Sequence, residues 1–268
     1  MMLTGAGVIF LYVLHLIELR FQLISYVESY ATRSVIVGAY NMFFILMIML
    51  AEPKLVLPER VRKGLLLLGL LAMGSYLLFY HDMIVESRNE FLEGVSTVTG
   101  FVFHYMLVGF LIASVVLSLA KLNREPDVKE ATHDAHWWIF IPFFVFLASA
   151  ELDHTVVLSG YSGAGSVQSL LSHNHKIGFP ILWGVSAFLL IAIGLKKKIK
   201  ALRIISLVLL LVTLVKLFFV DLRGISEGGK IAAFISLGIL LLVVSFMYQR
   251  LKKLLLEDGS VGDTKEVV

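Results

Sequence analysis

Lys63-Gly64-Leu65-Leu66-Leu67-Leu68-Gly69-Leu70-Leu71-Ala72-Met73-Gly74-Ser75-Tyr76-Leu77-Leu78-Phe79-Tyr80 sets one charge in front of an apolar run that carries none. A bilayer core offers the backbone no water to bond to, so a chain crosses it as a helix of roughly 20 mainly apolar residues. The pattern recurs along the chain at about 4–26, 35–51, 64–80, 98–120, 137–157, 177–195, 203–220 and 231–249. Hydrophobic residues make up 58% of the 268 and charged residues only 16%, against about 25% charged in ordinary soluble proteins. The sequence therefore predicts an all-α, polytopic transmembrane bundle of about eight spans. No linker divides it: residues 1–256 form one integral-membrane domain, followed by a polar, flexible cytoplasmic tail at 257–268.

The charges predict the orientation. Segments 52–63, 121–136, 196–203 and 250–268 hold 16 of the 23 lysines and arginines but 10 of the 20 acids, on alternate loops of an eight-span chain. The positive-inside rule puts those loops, and both termini, in the cytoplasm. The expected location is a membrane whose cytoplasmic face carries those loops. The small net charge of +3 reports orientation, with no concentrated basic face for nucleic acid. Lys196-Lys197-Lys198-Ile199-Lys200 reads first as a topology anchor and second as a contact for anionic headgroups.

Several chemistries lack their residues. The chain has no cysteine, so thiol and disulfide mechanisms are absent. Ser159-Gly160-Tyr161-Ser162-Gly163-Ala164-Gly165-Ser166 is glycine-rich, but no strand precedes it and no lysine closes it as in a phosphate-binding loop. It reads as a flexible turn before a short surface or re-entrant helix. The first span lacks a basic leader and a small-residue cleavage site, so it reads as retained.

The remaining chemistry falls in the outer half, with His15, His81, His104, His154, His173 and His175. Ionisable groups inside spans are costly and normally face a partner or a wet cavity. His15 and Glu18 share a helical face with Gln22, and Glu151 and His154 repeat the three-residue spacing. Glu-x-x-His pairs serve di-iron bundles, so His15, Glu18, Glu151 and His154 are weak metal candidates; hydrogen-bonded polar pairs are the simpler account. No cofactor is expected. Lys216 either snorkels to headgroups or meets an acid such as Glu18 or Glu151, and Asp221 follows it. His173-Asn174-His175-Lys176 reads as an exposed interfacial loop, and His133 and His136 as headgroup-level residues beside Trp137-Trp138.

From span six onward the chain resembles a known family. The carriers are Ile181-Leu182-Trp183-Gly184, Ile193-Gly194-Leu195-Lys196-Lys197-Lys198, Leu202-Arg203, and Leu214-Val215-Lys216-Leu217-Phe218-Phe219-Val220-Asp221-Leu222. Phe234-Ile235-Ser236-Leu237-Gly238 and Tyr248-Gln249-Arg250 complete the set. Together they look like the C-terminal signature of the bacterial predicted membrane proteins grouped as domain of unknown function 2339, over about 177–250. The resemblance implies a membrane location and helical fold, and marks Lys216, Asp221 and Arg250 as family positions. It supplies no mechanism. Members are mostly longer, which implies that a short version works with a partner subunit or retains only a terminal module.

Three functions follow as expectations. In the first, His15, Glu18, His104, Glu151, His154, Lys216 and Asp221 line an outward-facing cavity of a ligand-binding or transport component of the cell envelope. The second is a scaffold or assembly subunit, and the third a membrane-embedded metal-dependent or lipid-carrier enzyme. Expected partners are membrane lipids, other membrane subunits or a second copy, and no nucleic acid.

Overall fold

A chain dissolved in lipid must close its own backbone hydrogen bonds, and every described element of the computed structural model is helical. The structure describes residues 2–54, 58–65, 67–123, 135–163 and 165–221, with scattered helical positions from 231 to 249. The helices are α1 (Met2–Tyr26), α2 (Tyr30–Ala51), α3 (Glu59–Leu65), α4 (Leu67–Ser75), α5 (His81–Leu92) and α6 (Val98–Leu122), then α7 (Trp137–Gly160), α8 (Ser166–Lys196) and α9 (Lys200–Lys216). A π-helical turn at Tyr76–Tyr80 joins α4 to α5, and another at Leu217–Asp221 follows α9.

Among the described residues, seven stretches are long and apolar enough to span: Gly5–Tyr26, Tyr30–Lys54, Lys63–Leu92, Val98–Leu122, Trp137–Gly160, Ser166–Lys196 and Lys200–Phe219. Most of the expected span at 231–249, the tail at 257–268, His133, Arg250 and the side chain of Asp221 lie outside the described residues.

Two connections expected as loops are helical. Residues 81–92 continue the third span as α5, which buries Ile84, Ser87 and Arg88. Their polarity hid the helix from a hydropathy argument, because that face meets protein and not lipid. Gly94, at φ 76°, ends it in a Schellman turn, with Val95 N–H donating to Glu90 O at 2.8 Å and Gly94 N–H to Phe91 O at 3.1 Å. Likewise α8 begins at Ser166, so the expected short surface or re-entrant helix is the first turns of the span itself.

The chain gathers into two compact units, Met1–His136 with Val157–Val167, and Trp137–Val156 with Gln168–Val268. In the first, α2 is the central element. Small residues let backbones approach where lipid supplies no hydrophobic drive between helices. A Cβ on Gly38 would stand 2.6 Å from Leu107 Cδ1 and 2.7 Å from the Tyr80 ring. One on Gly100 would stand 2.7 Å from Thr32 Oγ1, and one on Gly69 would overlap the Ser118 hydroxyl. Ala31, Val35, Met42, Met49, Leu107, Leu111 and Val115 fill the resulting core.

Polar clamps hold both ends of α2. Ser29 caps its N-terminus, accepting from Thr32 N–H at 2.9 Å and donating to the Glu90 carboxylate of α5. At the other end Lys121 of α6 pairs with Glu52 at 2.5 Å and donates to Met49 O at 2.9 Å. By contrast α1 is peripheral: only 6% of its apolar window is buried.

In the second unit α8 turns tightly into α9. Lys198 takes φ 57°, Ile199 N–H donates to Gly194 O at 3.0 Å, and Lys198 N–H donates to Leu195 O at 3.4 Å. This is again a Schellman turn, with a lysine in the left-handed position usually held by glycine. A Cβ on Gly194 would stand 2.9 Å from Arg203 Cγ, so the glycine admits the Arg203 stem.

Gly38→Leu should lower unfolding stability in detergent by about 1–3 kcal/mol, since the side chain has no room to enter. Gly74→Leu, with nothing within 4 Å of its Cβ, should change it by about 0.5 kcal/mol or less. Paired thermal melts of the two variants check this.

Candidate functional site

The turn between α1 and α2 brings two arginines to one opening. Arg20 lies about a turn and a half before the end of α1, and Arg33 sits in the first turn of α2. Between them, the π turn and the start of α5 is a cavity of about 610 Å³. Leu23, Ile24, Val37, Leu78, Phe79 and Met83 make its apolar wall, and Ser34, Tyr30, Tyr80 and Asp82 add polar groups. Arg20 is exposed and Arg33 half-buried. Neither guanidinium has an ion pair or hydrogen bond among the described residues, Asp82 included.

A hydrogen-bonded chain shapes the wall beside Tyr80. Tyr12 O–H donates to Asn41 Oδ1 at 3.0 Å, and Asn41 Nδ2 donates to the Tyr80 hydroxyl at 2.7 Å. Both ends of one amide are thereby used, which fixes its orientation. The Tyr80 oxygen accepts, so its own proton remains available to donate. Tyr40 O–H donates to the Tyr12 carbonyl at 3.2 Å, and the Tyr12 and Tyr40 rings stack at 5.8 Å between centroids. The π turn rotates Tyr80 into the cavity while Tyr76 is fully buried, a change of register that a regular helix would not give.

The residues expected from sequence have different settings. His15 and Glu18 lie on an exposed face of α1, where His15 Nδ1 donates to Leu11 O at 2.8 Å and Gln22 Nε2 donates to Glu18 Oε1 at 2.7 Å. His104 is fully buried in the first unit, its ring 4.1 Å from that of Phe101 and 3.8 Å from that of Tyr105. Its Nδ1 donates to Phe101 O at 2.6 Å, which leaves Nε2 facing other groups. In the second unit His154 is 1% exposed and Glu151 half-buried on α7. Among the described residues no three His, Asp or Glu side chains gather as a metal ion would need.

Asp153 of α7, between Glu151 and His154, is a hub that the spacing argument passed over. Its carboxylate accepts from Asn174 Nδ2 at 2.7 Å and from His175 Nε2 at 2.9 Å. Lys216 of α9 donates from Nζ to the His175 carbonyl at 2.6 Å. One end of α7, α8 and α9 is tied through His175. The expected exposed loop at 173–176 is therefore helix, with Asn174 buried at 4% exposure, because its polar groups are satisfied by Asp153. His136 is likewise buried, at 6%.

The chain matches the family described as predicted membrane protein, domain of unknown function 2339, over residues 1–251. It belongs to that family. The match runs far beyond the C-terminal signature at 177–250 and takes in the arginine cavity, the Asp153 hub and α1 through α9. Neither the curated proteins nor the solved structures contain a match to the chain.

Arg20, Arg33, Tyr80, Asn41 and Asp82 were not candidates from sequence. The usable signal was two arginines on either side of one short turn between two spans, each close enough to the membrane to need a partner. Asn41→Leu strands the Tyr12 and Tyr80 hydroxyls. It should cost about 1–3 kcal/mol, a larger loss than Tyr80→Phe, which removes one acceptor only. Melting both variants beside the parent in the same detergent checks the ranking.

Proposed function

We propose that this family member is an outward-facing ligand-binding component of the bacterial cell envelope, and that its ligand is an anionic amphiphile held in the α1–α2–α5 cavity. The observation that carries this is the pair of guanidiniums, Arg20 and Arg33, with no carboxylate partner among the described residues, at the mouth of a largely apolar cavity. Charges near a membrane interior are ordinarily paired, and the planar guanidinium fork matches phosphate and carboxylate. A lipid-borne phosphate supplies the missing anion, and its hydrocarbon lies along Leu23, Ile24, Leu78 and Phe79. Tyr80 and Ser34 donate to the same head, while Asp82 accepts from a hydroxyl or amine on it. Passage of the ligand to another protein would make the component part of a transport route.

The uneven distribution of lysine and arginine supports placing the cavity outside, with both termini in the cytoplasm and an eighth crossing at 231–249. The chain lacks cysteine, so single replacements report cleanly. Val95→Cys, at a position 71% exposed beside the α5–α6 turn, should react with an impermeant maleimide added to intact cells or spheroplasts. Lys54→Cys, at the opposite end of α2, should react only after the membrane is opened. The reverse result turns the protein over and removes the outward cavity.

Ligand binding is checked by thermal shift of purified protein with phosphatidylglycerol or phosphatidylcholine in mixed micelles. Phosphatidylglycerol should stabilise the parent more strongly. Arg33→Gln and Arg20→Gln should each weaken that effect by roughly ten- to hundredfold in midpoint concentration, the scale of a lost charged hydrogen bond. Equal response to both lipids, or an unchanged response in the double variant, rejects the proposal.

A further inference from the structure

α1 carries a polar stripe that the described residues leave exposed. At 100° per residue, Leu11, His15, Glu18, Gln22 and Ser25 form a stripe roughly 80° wide, centred roughly 110° round the helix from Tyr12, Leu16, Leu19 and Leu23. The second set faces inward: Leu23 is buried, Tyr12 and Tyr40 stack at 5.8 Å, and Tyr12 bonds Asn41 of α2. The first set is exposed throughout. Glu18 lies about 12 Å and His15 about 16 Å from the end of the helix at Tyr26, deep within a core of about 30 Å. An acid, an imidazole and an amide at that depth are not a lipid-facing surface.

Their local bonds leave each of them with more to give. Gln22 satisfies one Glu18 oxygen at 2.7 Å, and His15 Nδ1 is held by Leu11 O, so the second Glu18 oxygen and His15 Nε2 have no partner among the described residues. We infer that this stripe is the interface for a second copy of the same chain, α1 against α1.

The argument for self-pairing is the handedness of the stripe. Glu18 and Ser25 lie on one flank and His15 and Gln22 on the other, with Leu11 at the centre. Two copies in one membrane have the same orientation, so their α1 helices pair in parallel. A two-fold axis then sets one flank of each helix against the opposite flank of its partner. Glu18 therefore meets the flank that presents His15 and Gln22, twice over. Acid facing imidazole and amide is complementary without any other protein. The stripe uses none of the arginine-cavity residues, so it stands or falls separately from the proposed ligand.

Oxidative cross-linking in native membranes tests it, because no natural thiol interferes. Leu11→Cys and Ser25→Cys on the stripe should give disulfide-linked dimers, and Leu19→Cys on the packed face should stay monomeric. Glu18→Leu together with Gln22→Leu should weaken self-association about tenfold in reconstituted vesicles, read by subunit-counting photobleaching. Phe10→Leu, on an exposed apolar face of α1 outside the stripe, is the control and should leave self-association unchanged. Dimers that form equally from all three thiols overturn the inference. So does a stripe thiol that links only to a different protein, and so does single-step photobleaching of the parent protein.

Discussion

The approach of α2 to its neighbours is the constraint on which the first unit depends. Gly38, Gly69 and Gly100 mark places where a single Cβ would collide with a neighbouring helix. In water, burial of apolar area would drive such helices together. In lipid, contact geometry and interhelical hydrogen bonds must do so. That is why the same helices are tied at both ends, by Ser29, Thr32, Ser87 and Glu90 at one and by Lys121 and Glu52 at the other. With α2 fixed, Tyr80 and Arg33 have set positions in the wall of the cavity beside α1.

Polar groups in the chain divide by how they are satisfied. Some are consumed internally, as in the Asp153–Asn174–His175 cluster and the Tyr12–Asn41–Tyr80 chain. These rigidify the bundle and leave little capacity for a ligand, apart from the Tyr80 proton. Others, Arg20 and Arg33 in the cavity and His15 and Glu18 on the stripe, keep donors or acceptors unused.

Much of the architecture was legible because bilayer thickness converts directly into the length of an apolar run. Seven of the expected spans correspond to described helices, with ends shifted where polar helix continues past the lipid. What hydropathy missed follows from that same rule. α5 buries Ser87 and Arg88 against protein, so composition alone reads that polar stretch as a loop. Lys198 stands where glycine usually marks a helix end, and its charge read as an anchor while its backbone role went unseen. The π turn at Tyr76–Tyr80 leaves no trace in apolar spacing, yet it decides that Tyr80 enters the cavity. Spacing did find His15 with Glu18 and Glu151 with His154 as same-face pairs, but it could not say which side of the helix each face meets.

That last distinction gives α1 a particular mechanical position. One face supplies Arg20, Leu23 and Ile24 to the cavity, and the opposite face bears the His15–Glu18–Gln22 stripe. The helix is otherwise lightly held, touching the rest of the unit mainly through α2. A ligand of the proposed kind that pulled Arg20 toward Arg33 would rotate or shift the same rod that carries the stripe. A second copy seated on the stripe, as inferred above, would limit that motion. Reciprocity then follows from linkage: if pairing changes affinity in the cavity, occupancy of the cavity changes pairing by the same factor. Because the cavity face and the stripe are roughly opposite on one helix, rotation by a small angle moves both at once. Coupling of this kind needs no pathway through the core, only a helix stiff enough to turn as a body and loose enough to turn at all.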